Sequence, residues 1–348
     1  MAAKLISLSP DDVTYTALPG SQGDISRNGA VVDDTVFGQN YRSQFSTTLD
    51  WQIGANAIYK GFAGYVGKLK KMGASTVMTG EATTLVSTRV YQITNTAKRL
   101  MDRATVPTIL DGVTDVTAQV ESVDFLFGII YFKSTYTVVG AITITGKYFP
   151  TVQLGAIRGF TLTQTAATID EGDYDAVQAN GGYKIMAPGL QDVSLSVQGV
   201  YNSTYDMIAL LESRAEMLIE INPDGQEWNG SIARGFFRPT SDKLSGNVGA
   251  LEQEDISFTL SVPNQNSGPA VTQPFGWKHH ANSPIPTAIK SAIDAWGVSD
   301  LFVRYLPDGV NGWEGAGVVT NISMQSAMDG LNTFTVAIMG NGALAAYP

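Results

Sequence analysis

The spacing of hydrophobic residues along this chain is mostly that of β-strands. In several segments from residue 160 onward, apolar and polar positions alternate with a period of two, as in a strand with one buried face. These segments are Phe160–Thr165, Asp192–Tyr201, Asp255–Val262 and Thr333–Met339. Two other segments, Thr204–Ala215 and Thr287–Trp296, carry apolar residues at helical spacing. The second half therefore predicts β-sheet with a few flanking helices.

The first half predicts a further strand-rich region between residues 76 and 150. The predicted strands are Leu85–Ile93, Val106–Leu110, Phe125–Lys133, Tyr136–Val139 and Ala141–Phe149. A short helix is predicted over Asn95–Arg103, and a longer one over Tyr59–Lys71, where aromatic and aliphatic residues recur at helical spacing. Residues 1–30 are polar and glycine-rich, which predicts an extended arm.

One motif occurs twice. The chain reads Met217-Leu-Ile-Glu-Ile-Asn-Pro-Asp-Gly225 followed by Trp228, and later Leu301-Phe-Val-Arg-Tyr-Leu-Pro-Asp-Gly309 followed by Trp313. An apolar strand, a Pro-Asp-Gly turn, a tryptophan and a second strand predict a hairpin. Two copies, each after a helical pattern, suggest an internal duplication that serves assembly. The alternative is that two short hairpins with Asp-Gly turns arose independently.

A second echo links the N-terminal region to the middle of the chain. Asp50-Trp-Gln-Ile53 precedes Tyr59 and Leu69 with the same spacing by which Asp192-Val-Ser-Leu195 precedes Tyr201 and Leu211, so the offset is constant. A complete copy would then be inserted into a discontinuous one. The predicted organisation is an N-terminal arm and the front half of unit one (1–75), a β-rich segment (76–155), unit two (156–265), a proline-rich linker (266–286) and the back half of unit one (287–348).

Composition narrows the class of function. Hydrophobic residues make up 44% and charged residues 16%, below the usual fraction of about a quarter, so much surface is expected to be hidden in contacts. The net charge is −10 with 22 Lys plus Arg, which disfavours a protein that grips nucleic acid through phosphates. Apolar stretches are too short for a signal peptide or a membrane span of roughly 20 residues, so synthesis in a reducing cytoplasm without membrane insertion is predicted.

Catalytic and metal-binding patterns are weak throughout. The chain has no cysteine, and its two histidines, His279 and His280, are neighbours inside the predicted linker, where we expect a solvated loop pair. The acidic run Asp170–Asp175 could suit calcium, but it lacks the register of an EF-hand loop, so a solvated loop is favoured. Gly312–Gly317 does not precede a helix, as a phosphate loop would. We predict no catalytic, cofactor-binding or metal site, and no enzyme.

The order strand, helix (Thr204–Ala215), Pro-Asp-Gly hairpin and strand, with the closing alternations Ile256–Val262 and Asp329–Gly342, resembles the major tail proteins of long-tailed bacteriophages and gene-transfer-agent-like particles. The resemblance covers most of residues 30–348. It rests on patterns and not on catalytic motifs. It implies a mainly β fold: two tail-tube-type β-sandwich or half-barrel units, each with a flanking helix, plus the additional β-rich segment.

The resemblance also implies a function and a set of partners. Subunits of such a protein form stacked rings in the virion tail, and the tube conducts the genome into the host. The partners implied are further copies of the chain, a tape-measure protein in the lumen, tail terminator and baseplate or distal tail proteins at the ends, and DNA in transient passage. Two units in one chain favour a trimer with pseudo-hexameric symmetry, and a hexamer remains open.

Other functions remain open at the sequence level. One is a different virion component, such as a head decoration or baseplate protein; another is a carbohydrate-binding β-sandwich module. Glu252, Glu254 and Asp255 flank a closing strand and are weak candidates to face a lumen, with ordinary solvent exposure the alternative. Trp228 and Trp313 are expected to pack beside their turns.

Overall fold

A computed structural model describes residues 5–19, 22–33, 44–59, 68–154, 157–200, 208–213, 215–246, 252–262, 273–298, 300–327 and 331–348. The strands up to residue 153 are β1 (Leu5–Ser9), β2 (Thr16–Ala17), β3 (Gln22–Asp33), β4 (Gln44–Ile58), β5 (Lys68–Met72), β6 (Thr76–Ser87), β7 (Val90–Ile93), β8 (Thr108–Asp111), β9 (Thr114–Asp115), β10 (Val120–Asp124), β11 (Ile129–Phe132), β12 (Ile142–Tyr148) and β13 (Thr151–Gln153).

The later strands are β14 (Ile157–Asp170), β15 (Met186–Val200), β16 (Met217–Asn222), β17 (Ser231–Ser245), β18 (Gln253–Leu260), β19 (Phe275–His279), β20 (Asp300–Leu306), β21 (Gly312–Ala327), β22 (Thr333–Gly340) and β23 (Ala345–Tyr347). The α-helices are α1 (Tyr174–Ala179), α2 (Ile208–Ser213) and α3 (Thr287–Ala295), and short 3₁₀ helices cover Thr96–Lys98, Thr117–Gln119 and Glu227–Asn229. The predicted mainly β fold class is confirmed.

The chain packs into two compact units. The first contains residues 1–65, 159–195 and 284–348, and the second contains residues 66–158 and 196–283. The chain therefore leaves the first unit and returns to it twice. Strand β5 (Lys68–Met72) lies in the second unit, and the domain boundaries predicted from the sequence stay a prediction. The assignment of the two units as tail-tube domains stays a prediction.

The first unit is a sheet built around the long strand β21. On one side β21 pairs with β20 through its first half and with β14 through its second half, and on the other side it pairs with β23 and β22. Strand β20 pairs with β1 and β1 with β2, while β22 pairs with β4 and β4 with β3. Helix α3 packs on β1, β20 and β21 through four fully or nearly fully buried residues, Ala288, Ile289, Ala292 and Ile293.

The second unit repeats this arrangement around β17. The first half of β17 pairs with β16 and β19, and its second half pairs with β18. Strand β16 also pairs with β5, and β5 pairs with β13. Strand β18 is followed by β15, whose last residues, 196–200, belong to this unit. Helix α2 contacts β17. A separate sheet of seven strands, in the order β10-β11-β7-β6-β12-β8-β9, is inserted between the paired strands β5 and β13.

The two strand orders correspond element by element. Strands β1 to β4, α3 and β20 to β23 match β5, β13, β14, β15, α2 and β16 to β19 in both chain order and pairing. Strands β4 and β15 have the same length, and the offset that aligns Asp50 with Asp192 also aligns both ends of the two strands. Strands β17 and β21 each carry a register shift, at Pro239–Ser241 and Val319–Asn321, and one constant offset relates the two sites. This agreement supports the internal duplication that the repeated motif suggested.

The Pro-Asp-Gly turns occupy equivalent places, but the tryptophans do not. Gly225 and Gly309 both have positive φ and both donate their N–H three residues back, to Asn222 and Leu306. Trp313 then lies on β21 opposite Tyr305, whereas the residue opposite the equivalent Ile221 is Ala233. Trp228 belongs instead to the 3₁₀ turn of a longer connection. The repeated motif therefore predicted the turns correctly and the tryptophan positions wrongly.

Several local predictions were wrong because pairing overrode local pattern. Residues 5–9 and 22–30, predicted as an arm, form β1 and β3, since Ile6 and Leu8 are buried against β20. The end of the predicted Tyr59–Lys71 helix is strand β5, Tyr59 is buried directly after β4, and residues 60–67 lie outside the described residues. Leu85–Ile93 was predicted as one strand, but it contains the end of β6, a turn at Arg89, which has positive φ, and all of β7.

Other predicted elements were shorter than expected. Only Ile129–Phe132 of Phe125–Lys133 is a strand, Val106–Leu110 contributes Thr108–Asp111, and Tyr136–Val139 is not regular. Asn95–Arg103 contributes one 3₁₀ turn capped by Asn95. The helix predicted over Thr204–Ala215 is described over Ile208–Ser213, and α3 agrees with its prediction to within one residue.

The close packing of Gly340 against Trp51 in the first unit can be tested by substitution. It is 1% exposed, and a Cβ added at Gly340 would lie 2.3 Å from its Cε2. We expect Gly340→Ala to lower the free energy of unfolding by about 1–3 kcal/mol because the core is overpacked. Gly146→Ala is the matched control, since its Cβ would meet Pro107 at 3.5 Å, an ordinary contact. Calorimetric midpoints would test this, and equal midpoints for the two variants would contradict it.

Candidate assembly edges and the polar core of the second unit

The pairing of β14 with β21 joins the two repeats, one made of β1 to β4, α3 and β20 to β23 and the other of β5, β13 to β15, α2 and β16 to β19. The strands run antiparallel from Gly159 opposite Ala327 to Thr165 opposite Asn321. The contact is well buried, since Leu162 is 1% exposed and Met324 is 0% exposed. A strand of one repeat thus covers the long strand of the other through main-chain hydrogen bonds.

The counterparts of these two strands have no such partner strand among the described residues. Strand β3, the counterpart of β14, pairs only with β4, and Ser26–Gly29 and Val31 are exposed. The second half of β17, the counterpart of the second half of β21, pairs only with β18. Leu244, which the constant offset between these strands aligns with Met324, is 47% exposed. The chain therefore presents two open sheet edges where its own repeat shows a closed one.

A buried ion pair lies in the second unit between the sheet and the inserted strands. Arg234 and Glu220 are each 2% exposed, and Oε2 of Glu220 accepts hydrogen bonds from Nη2 and Nε of Arg234 at 2.6 and 2.9 Å. The Nη1 group of Arg234 donates to the carbonyl of Leu126 in the inserted region. Asn222 donates to the other oxygen of Glu220 at 3.0 Å. Each polar group of the pair is therefore well supplied with partners.

Aromatic rings and further charges surround this pair. The guanidinium groups of Arg99 and Arg234 each lie 4.7 Å from the ring centroid of Trp228. Lys70 lies 3.7 Å from Glu220 and 3.0 Å from Glu227. A hydrophobic cluster packs alongside, and its buried members are Leu100, Leu126, Phe127, Ile129, Leu218, Ile232 and Phe236. These contacts fasten the inserted strands to β16 and β17 within one unit.

The histidines do not form the solvated loop pair that the sequence predicted. His279 ends β19, is half-buried and stacks on Trp277 with ring centroids 5.6 Å apart; His280 is exposed. Nδ1 of His279 lies 2.7 Å from Oγ of Ser231, which also contacts Ser283. The prediction failed because part of the expected linker pairs with β17 as a strand. Of the predicted linker, residues 266–272 lie outside the described residues.

This serine and histidine do not have the arrangement of a hydrolase. Asp224 contacts Ser283 at 3.2 Å, and Oγ of Ser231 lies at Nδ1 of His279, the ring nitrogen that the carboxylate takes in a Ser-His-Asp triad. Ser231 is fully buried. A nearby cavity of about 350 Å³ is lined partly by Arg99, Lys278 and both histidines. The hydrogen bonds of Asp224 stabilise the turn after β16, because its carboxylate accepts from the N–H groups of Gln226 and Ser231.

The acidic residues singled out in the sequence have local roles. Asp173 caps α1 by accepting from the N–H of Ala176, and Asp170 accepts from Gly172. Glu252 is exposed, Asp255 is half-buried and Glu254 is 0% exposed. Ordinary solvent exposure is therefore wrong for Glu254, because its side chain lies on the buried face of β18. The role of these three residues in a lumen stays untested.

No group of three or more His, Cys, Asp or Glu is placed to hold a metal ion in the described part of the chain. Within the same residues, no helix has the length and apolar character of a membrane span.

The known structures that the chain resembles include two of gene transfer agent particles. No protein-family model matches the chain, and no curated protein matches it. The chain is similar to a solved structure of the tail of an empty gene transfer agent particle with C6 symmetry, at 18% identity and a TM-score of 0.27, over 32% of this chain and 82% of that one. The other is the virion of a native gene transfer agent particle, at 17% identity and a TM-score of 0.27, over 32% and 84%. A TM-score of 0.27 is too low for either likeness to establish fold or function.

The buried ion pair gives the first prediction for this region. Glu220→Gln leaves the Arg234 charge buried without its carboxylate, and we expect a loss of about 3–5 kcal/mol of unfolding free energy. Glu314→Gln is the control, because Glu314 pairs with Arg304 at 2.8 Å in a part-exposed position and should cost about 0–1 kcal/mol. Urea denaturation of both variants measures the difference. A cost for Glu220→Gln no larger than the control would show that the pair is not needed.

Asp124 gives a prediction on pH. Burial raises the pKa of its carboxyl above the ordinary value of 3.8, against the opposing hydrogen bonds from Leu126 and Phe127. The folded state therefore holds the proton more tightly than the unfolded state, so this group stabilises the fold below pH 3.8 and loses that contribution as pH rises through the raised pKa. Asn cannot titrate. The stability of Asp124→Asn relative to wild type should therefore increase from pH 4 to pH 7, measured by urea denaturation; a constant or falling difference would contradict the assignment.

Proposed function

We propose that the chain is a virion structural protein, the subunit of a tail tube that polymerises into stacked rings and conducts the genome into a host cell. The observation that carries the proposal is the repeat of one strand order in two units, with β14 of one repeat paired to β21 of the other. A protein that joins two of its own repeats edge to edge has the contact needed to join further copies head to tail. Such a contact closes into a ring when the rotation between neighbours permits.

Composition and charge support the same proposal. Charged residues are 16% of the chain, which suits a protein whose surface is mostly covered in a polymer. The net charge of −10 disfavours tight contact with DNA, so a genome would slide through an acidic channel without adhering. The absence of any metal cluster in the described residues leaves this proposal unaffected, since it needs no reaction centre.

The partners follow from the proposed role. We propose a ring of three chains, in which six repeats imitate sixfold symmetry, with a hexameric ring as the alternative. The tube would enclose a tape-measure protein and meet a tail terminator at one end and baseplate or distal tail proteins at the other. The protein would act in the virion after synthesis in the host cytoplasm.

Negative-stain electron microscopy of the purified protein at low and high concentration tests the proposal. We expect rings or hollow tubes with a central channel, whose rotational averages show three chains or six. Glu314→Gln, a single change in a part-exposed ion pair, serves as a control that should assemble like the wild type. Dispersed monomers at every concentration would contradict a self-assembling tube and favour another virion role, such as a head decoration or baseplate component.

A further inference from the structure

We infer that the outer edge of β3 in one chain pairs, antiparallel, with the second half of β17 in a second copy of the chain. This inference deepens the proposed function, on which it rests, by naming the two edges that meet. It assigns β3, which lies mostly within the arm predicted from the sequence, a lateral contact between neighbouring copies.

The internal pairing of β14 with β21 supplies the template. In that contact seven residues of β14, from Gly159 to Thr165, lie opposite Asn321–Ala327. The strands that surround it are duplicated: β14 belongs to the hairpin β14–β15 as β3 belongs to the hairpin β3–β4. The same is true of β21 with β22 and β17 with β18. Both strands of the internal contact therefore have counterparts of matching topology.

The register shared by the two long strands identifies the half of β17 involved. Phe237 lies opposite Leu260 and Gly317 lies opposite Gly340, and both pairs precede the register shift by the same number of positions. The constant offset between the strands aligns Asn321–Gln325 of the closed edge with Ser241–Ser245. On β17 this segment has a partner strand on one side only among the described residues, namely β18.

Side chains on the two open edges are more exposed to solvent than those in the closed contact of β14 with β21. Met324 is 0% exposed under β14, while the aligned Leu244 is 47% exposed. On the other strand, Leu162 is 1% exposed, whereas Ser26–Gly29 of β3 are exposed. Open strand edges with exposed apolar residues are templates for strand addition. The occupant that fits is a second copy, because this chain itself carries the strand that closes the equivalent edge.

The absence of cysteine from the chain permits a clean cross-linking test. Lys243→Cys is mixed with a separate chain carrying Asp24→Cys, Ser26→Cys or Asn28→Cys, which lie on one face of β3 and are exposed. Val113→Cys, in an exposed turn between β8 and β9, replaces the β3 cysteine in the control mixture. Oxidised samples are read on a non-reducing gel under conditions in which the wild type assembles.

We expect covalent dimers of Lys243→Cys with at least one β3 variant, about tenfold above the Val113 control, since thiols bridge only when their Cα atoms are within about 7 Å. The β3 position that reacts most completely gives the register. Rings or tubes in the microscope without this cross-link would overturn the inference and leave the proposed function standing. Monomers without assembly or cross-link would overturn both.

A second pair of variants tests the same edge without oxidation. Leu244→Lys places a charge on the open edge of β17 and should abolish ring formation, while Val113→Lys should not. Both residues are exposed, so both variants should keep the wild-type unfolding midpoint. Rings formed by Leu244→Lys to the same extent as by the wild type would overturn the inference.

Discussion

The main-chain hydrogen bonds of one long strand organise each repeat. Strand β21 spans sixteen residues and β17 fifteen, and each pairs with different strands along its two halves. The change of partner occurs near a register shift, where β17 carries Pro239, a residue that cannot donate to the ladder. Proline is tolerated inside a sheet at such an irregularity. Because every other strand of a repeat is placed relative to this one, its pairing fixes where the hairpins, the helix and the free edge lie.

The second repeat accommodates the inserted seven-stranded sheet because the insertion lies between two paired strands. Strands β5 and β13 pair with each other, so the inserted sheet begins and ends at neighbouring points of one hairpin. The insertion has its own core, centred on residues such as Met78, Ile93 and Ile144. The buried charges of Arg234 and Glu220 then tie it to the underlying sheet. A polar contact of this kind specifies one geometry, because a misplaced guanidinium would leave a charge buried without a partner.

An open sheet edge is a hazard for a protein that works alone and a resource for one that polymerises. Here β3 and the second half of β17 are long and, in part, apolar and exposed, features that isolated proteins usually avoid. The internal contact of β14 with β21 shows that the same edges can be closed by this chain's own strands. Low charge, repeated topology and open edges thus have one common explanation in the assembly that we propose.

The sequence by itself determined the strand-rich class, the helix α3 and the two Pro-Asp-Gly turns. Alternation, helical spacing and the left-handed backbone of Gly225 and Gly309 are local properties, so nearby residues suffice to specify them. The constant offset between the echoes that begin at Asp50 and Asp192 also located two equivalent strands, β4 and β15, before any pairing was known.

Only the tertiary structure decided the elements whose neighbours are distant in sequence. Residues 5–9 became a strand by pairing with residues 302–306, and Phe275–His279 did so by pairing with Ser231–Gly235. No short pattern encodes such partners. The sequence did not predict the polar core either, since Arg234, Glu220 and Leu126 are up to 108 residues apart. Which edges stay open follows from pairing across the whole chain, because an edge is defined by the absence of a partner strand and not by its own residues.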